Sequence, residues 1–223
     1  MKKMLIIIIV LAGILISMII YKNMAVGSKN NINIQEIQKI EESISKIYLW
    51  KEVTNEALPE FENVNNATEL WIWEVLKKNI DKFEVSYEEI EKMSKELFGQ
   101  EFTKEFPKEG YNTFKYNEEN NVYIPTEVTL DQTEDNFIIS DIKKIKEEYQ
   151  VDIIEYLEDY SKEEKVIIRN LLNEEIGQVS SNDSETKIKE IVKENVSRFN
   201  KKKIYFKNED NKLIVQKVIK IQE

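Results

Sequence analysis

The chain has 223 residues, 32 basic and 42 acidic side chains, and neither cysteine nor histidine. Those absences exclude disulfides, thiol nucleophiles, thiolate zinc sites, histidine-based triads and histidine-ligated haem. Lys2, Lys3, Lys22 and Lys29 are the only charges before residue 30, so the remaining 28 bases face 42 acids, a net of −14 that argues against nucleic-acid or anionic-surface partners.

Met4–Tyr21 reads MLIIIIVLAGILISMIIY and carries no charge over eighteen residues. At about 1.5 Å per residue that is about 27 Å of helix, close to the hydrocarbon thickness of a bilayer. A run apolar on every face predicts a transmembrane helix whose partner is the lipid bilayer. Lys2 and Lys3 precede it, so the positive-inside rule keeps the N-terminus in the cytoplasm and sends the rest across. Ala25-Val26-Gly27 offers a cleavage-like site, but the apolar stretch exceeds the 7–15 residues usual in a signal peptide. An uncleaved anchor over residues 1–27 is therefore expected, with secretion after cleavage near Gly27 as the alternative.

Residues 28–66 read as a tether and a juxtamembrane helix. Ile37, Ile40, Ile44 and Ile47 recur at 3-4-3 spacing from Ile34 onward, so the 34–50 region could dimerise or, more simply, pack on its own domain. The α+β domain is expected over residues 67–223. Asn66-x-x-Glu69 matches a capping box before ELWIWEVLKKNIDKF, with Leu70, Trp73, Leu76 and Ile80 on one face. Ser86-x-x-Glu89 is a second box; it opens YEEIEKMSKELF, which Gly99 closes. TFKYNEENNVYIP then reads as a hairpin that Pro125 ends. Asn136–Lys146 and Tyr149–Tyr160 read as two strands. Ser161-x-x-Glu164 suggests a helix over 162–176, and Ile188, Ile191, Val192 and Phe199 a last helix to about Asn200. KKIYFKNEDNKLIVQKVIKI is the clearest hairpin, turning at Asn208–Asn211. Its turn resembles Asn117–Asn120, which raises a duplicated helix-plus-hairpin unit, although turn chemistry selects Asn and acids anyway.

No motif assembles a catalytic centre. Ser43-x-x-Lys46 and Ser140-x-x-Lys143 match the S-x-x-K of penicillin-binding enzymes, but the S-D-N and K-T-G partners are missing. Glycoside hydrolysis needs only two carboxylates, one of them kept protonated. The candidates Asp152, Glu155, Glu158 and Asp159 lie on one proposed strand, where Asp152 and Glu158 share a face, as do Glu155 and Asp159. The bland reading is a solvated strand face or a protected edge. Asn208–Asn211 lacks the Gly and the distal Glu of a calcium loop. Trp50, Trp71 and Trp73 could stack on sugar rings, but Trp71 and Trp73 lie about 200° apart on a helix and cannot form one platform there. No catalytic, cofactor-binding or metal-ligating residue is assigned, and no cofactor is expected.

The pieces SYEEIEKMSKELFG and FKYNEENNVYIP, with the strand-rich region after them, resemble a loose group of small signal-anchored extracytoplasmic proteins of low-GC Gram-positive bacteria. Helices layered on a curved antiparallel sheet also resemble nuclear-transport-factor-like and cystatin-like architectures, a likeness that implies no function. The sequence thus predicts an α+β protein: one N-terminal membrane helix, then helices covering one face of an antiparallel sheet outside the cell. Its expected role is a non-enzymatic binding or accessory module meeting a cell-envelope protein or glycan. A carboxylate-dependent wall-glycan hydrolase and a structural dimer through the 34–50 helix are the alternatives.

Overall fold

The computed structural model describes residues 32–49, 54, 56–106, 112–126, 133–183 and 185–222. The Met4–Tyr21 segment lies outside them. Among the described residues no helix is long and apolar enough to cross a membrane. The chain divides into residues 1–40 and 41–223.

Of the first unit, the described part holds the start of helix α1, Ile34–Ile47. Asn33 opens it with a reciprocal cap: its Oδ1 accepts from Glu36 N at 2.9 Å, and the Glu36 carboxylate accepts from Asn33 N at 3.0 Å. Two otherwise orphaned amides are satisfied together.

The second unit is an α+β body. Among the described residues its helices are the end of α1, α2 (Glu69–Lys78), α3 (Tyr87–Phe98) and α4 (Glu185–Glu194). Among the described residues nine strands run in chain order: β1 Val85–Ser86, β2 Phe114–Asn117, β3 Val122–Pro125, β4 Thr133–Ile145, β5 Glu148–Asp159, β6 Lys165–Arg169, β7 Glu175–Ser180, β8 Asn200–Glu209 and β9 Lys212–Lys220. Every pairing among them is antiparallel. β1, β3 and β2 make a small sheet in that order. The larger sheet runs β7-β6-β5-β8-β9, with β4 paired to β5 as well.

Strand β5 organises the larger sheet. One edge pairs with β4 along its whole length. The other edge is shared: Glu148–Glu155 pairs with β8, and Leu157–Asp159 pairs with β6. On one face of the second half, Ile138, Ile154, Tyr156, Val166, Ile168 and Val179 pack against Ile188 and Val192 of α4 and Phe199. On the opposite face, the alternation that pairs Val151 with Ile204 and Ile153 with Lys202 buries Val151, Ile153 and Ile204 completely.

The aromatic residues fix the helices. Trp71 packs against Phe61 and Phe98 and donates its indole N–H to Ile47 O at 3.1 Å. Trp73 instead meets Phe106, Phe114 and Tyr123 of the small-sheet layer. The angular separation expected of the two tryptophans therefore sends them into different layers, and both are core. Lys78 and Asn79 donate to Tyr48 O and Lys46 O, which pins the end of α1 to α2. Ile44 and Ile47 are buried within this unit, so that end of the isoleucine stripe packs on its own domain.

Several expectations hold. The Ser86–Glu89 capping box closes with both bonds, at 3.2 and 2.9 Å. Gly99 ends α3 at φ 93°, ψ 167°, an extended positive-φ conformation that favours glycine, and an added Cβ would meet Ile214 Cγ2 at 2.9 Å. The hairpin turns and the β4–β5 pair fall where the alternation placed them.

Others need correction. The helix expected over 162–176 is the β6–β7 hairpin. Val166, Ile167 and Ile168 are all buried, as in a strand covered on both faces, and Asn173 turns the chain at φ 67°. The box at Asn66–Glu69 does not form. Val64–Asn66 is a 3-10 turn capped by Asn63, and Thr68 precedes α2 without a side-chain cap bond. α2 has no single apolar face, because Trp71 through Leu76 are all buried. The last helix ends at Glu194, a 3-10 turn follows at Val196–Arg198, and Asn200 already belongs to β8. The duplicated-unit idea fails as well. β2–β3 turns over four residues in the small sheet, whereas β8–β9 turns over Asp210 and Asn211, both at positive φ, in the large one. Helix α4 covers one face of the large sheet, and the non-helical 56–58 segment crosses the other, where Leu58 O meets Lys202.

Candidate functional site

The four candidate acids do lie on one strand, in the alternation expected, but that strand is no edge and only Asp152 keeps a partly open face. β5 is interior to the sheet, and Glu155, Glu158 and Asp159 are buried. Each has a different environment.

Asp152 is half-buried and pairs with Lys203 at 3.2 Å across the β5–β8 rung. Glu158 points to the α4 face. It accepts from Asn136 Nδ2 at 3.0 Å, Tyr156 Oη at 3.1 Å and Tyr160 Oη at 2.5 Å. Burial first, and this carboxylate second, push the Tyr156 phenol well above its ordinary range; the Tyr160 phenol is raised too. Asp159 accepts from Ser161 N and from Arg169 Nε, each at 2.9 Å. Hydrogen bonding from Ser161, supported by Arg169, holds its carboxyl below the usual range.

Glu155 stands apart. It is fully buried, and neither carboxylate oxygen accepts a hydrogen bond. Its nearest cation is Lys202 Nζ, 3.4 Å from Oε2, on a buried residue 5% exposed. The sheet register explains the approach. Ile153 faces Lys202 and Glu155 faces Asn200, so Glu155 and Lys202 are diagonal neighbours on one face. Lys202 Nζ donates to Leu58 O and lies 3.7 Å from Glu56 Oε2. On the β4 side Phe137 is opposite Glu155, and the Tyr48 ring packs on Phe137 at 5.1 Å. The Tyr48 hydroxyl donates to Asn136 O at 3.1 Å; burial, then Glu155 and Asp135, raise its phenol. Burial pushes the Glu155 carboxyl up to about 7, against the pull of Lys202, while Glu56 and Asp135 add to the rise.

This geometry bears on hydrolysis. Glu155 and Glu158 point to opposite faces. Glu155 and Asp159 share a face but stand four residues apart, about 13 Å along the strand. Paired glycosidase carboxylates stand about 5–9.5 Å apart. The same-face pair Glu155 and Asp159 lies beyond that spacing.

The remaining candidates are occupied locally. Ser140 Oγ donates to Asp152 O, and Lys143 pairs with Asp141, so the second S-x-x-K match makes no nucleophile–base pair. Ser43 and Lys46 lie on α1, Lys46 exposed. Asn208–Asn211 is the turn it was read as, with Asn208 N donating to Glu147 O. Trp50 lies outside the described residues. Among the described residues no group of three or more acidic side chains is placed to hold a metal ion.

Sequence reasoning singled out Glu155 but not Lys202, Tyr48, Glu56 or Asp135. For Lys202 a signal existed: it alternates with Ile204 and Phe206, which puts it on the inward face of β8. No family model, curated protein or solved structure matches the chain.

Proposed function

We propose that this chain is a non-enzymatic binding or accessory module held outside the cell membrane by an uncleaved helix at Met4–Tyr21, its acidic α+β body meeting a protein or glycan of the envelope. The observation that carries the reading is the eighteen-residue uncharged run behind Lys2 and Lys3. The body adds support. Its net charge of −14 favours solubility away from an anionic bilayer surface. The acids of β5 are spent on Lys203, on the Asn136–Tyr156–Tyr160 ring, on Arg169 and on Lys202.

Membrane fractionation of cells, followed by protease added to intact spheroplasts, tests the location. The full-length chain should sediment with membranes and lose its body to external protease. Recovery in the soluble cytosol, or full protection, contradicts it. Release of reducing sugar from purified cell-wall glycan by residues 30–223 would contradict the non-enzymatic half.

A further inference from the structure

An ordinary ammonium–carboxylate pair closes to about 2.7–2.9 Å, with N–H groups aimed at oxygen. Lys202 and Glu155 do not meet in that way. The nitrogen stands 3.4 Å from Oε2, its hydrogen bond goes to Leu58 O, and both Glu155 oxygens accept none. A sealed carboxylate in that state is costly as an ion. Burial accordingly disfavours the ionised form of the Glu155 carboxyl. Amine and acid in contact and shielded from water are the reactants of amide formation.

We propose that Lys202 and Glu155 condense into an intramolecular isopeptide bond that joins β8 to β5 at the point where β5 changes partner. Lys202 passes a proton to the Glu155 carboxylate as its Nζ adds to Glu155 Cδ and the new C–N bond forms. Glu56, whose Oε2 lies 3.7 Å from the same nitrogen, accepts a proton from the amine and returns it to a departing hydroxyl. The C–O bond breaks and one water leaves. No oxidant, reductant or activated donor is required. In a chain without cysteine, this bond supplies the cross-link that a disulfide gives other proteins, restricting the unfolded chain by joining residues distant in sequence.

The test is a peptide map of the full-length protein, extracted in detergent, unfolded and digested beside a Lys202→Arg variant. The expected result is a branched peptide containing Lys202 and Glu155, lighter than its two parts by one water and absent from the variant. Separate, unjoined Lys202 and Glu155 peptides from the natural protein overturn the assignment, whether or not the variant folds. A branched peptide that persists in Lys202→Arg also overturns it. Glu56→Gln, at a side chain 57% exposed and so readily tolerated, should raise the unjoined fraction; an unchanged fraction removes Glu56 from the proton route.

Discussion

Lys202 and Lys203 are consecutive residues of β8, and each pairs with a carboxylate of β5, yet they live in different media. Lys203 and Asp152 are each about one-fifth exposed and meet at 3.2 Å on the open face. Lys202 and Glu155 are sealed beneath Leu58 on the other. The contrast comes from β5. In its first half burial alternates, as in a strand with one covered face; from Ile153 to Asp159 every residue is buried. Where α4 and the 56–58 segment close over both faces, an acid cannot be left to water. It must be bonded, as Glu158 and Asp159 are, or paired, as Glu155 is.

Removing the sealed lysine should therefore cost most. Lys202→Met strands a buried acid and is expected to lower stability by about 3–5 kcal/mol, whereas Lys203→Met should cost under about 1 kcal/mol. Urea midpoints of the two variants measure the gap, and equal losses would erase the distinction. Next comes the α4 side. A Cβ on Gly177 would lie 2.8 Å from Ile191 Cγ2, so Gly177→Ala should cost about 1–3 kcal/mol by overpacking, read as a lowered Tm. Away from β5, Ser86→Ala removes a cap at the surface of α3 and should cost about 1 kcal/mol in the same assay. The smallest effect is electrostatic. Asp159 has its folded-state pKa held below 3.8, so its contribution is present above that pH and fades as acid protonates it. Asp159→Asn should flatten the acid limb of the stability profile and leave the alkaline limb unchanged.

Much of this was legible because local signals and burial agreed. The β8–β9 hairpin, the β4–β5 pair and the Ser86 box each carry alternation or capping chemistry that the tertiary structure also uses. The reading failed where packing overruled local pattern. EEKVIIRNLLNEEIG has helical punctuation at Ser161 and Gly177, but Val166–Ile168 fill a gap between two layers that only a strand fits. The site was half legible for a related reason. Period-two alternation put Glu155 and Asp159 on one face correctly, but it treats a strand as having one wet side. It cannot show that a second layer covers that side, and so it cannot separate a solvated acid from a sealed one. Lys202 escaped notice because lysines flank it on both sides in Lys201-Lys202-Lys203, and a charge run hides a single inward residue.

The absence of cysteine makes the most direct test of location simple, because one introduced thiol is unique. Leu172, 80% exposed in the β6–β7 turn, can take it without disturbing the core. Intact cells expressing the full-length Leu172→Cys chain are treated with a membrane-impermeant maleimide before and after lysis. The account predicts full labelling before lysis; labelling only after lysis would place the body in the cytoplasm and contradict it.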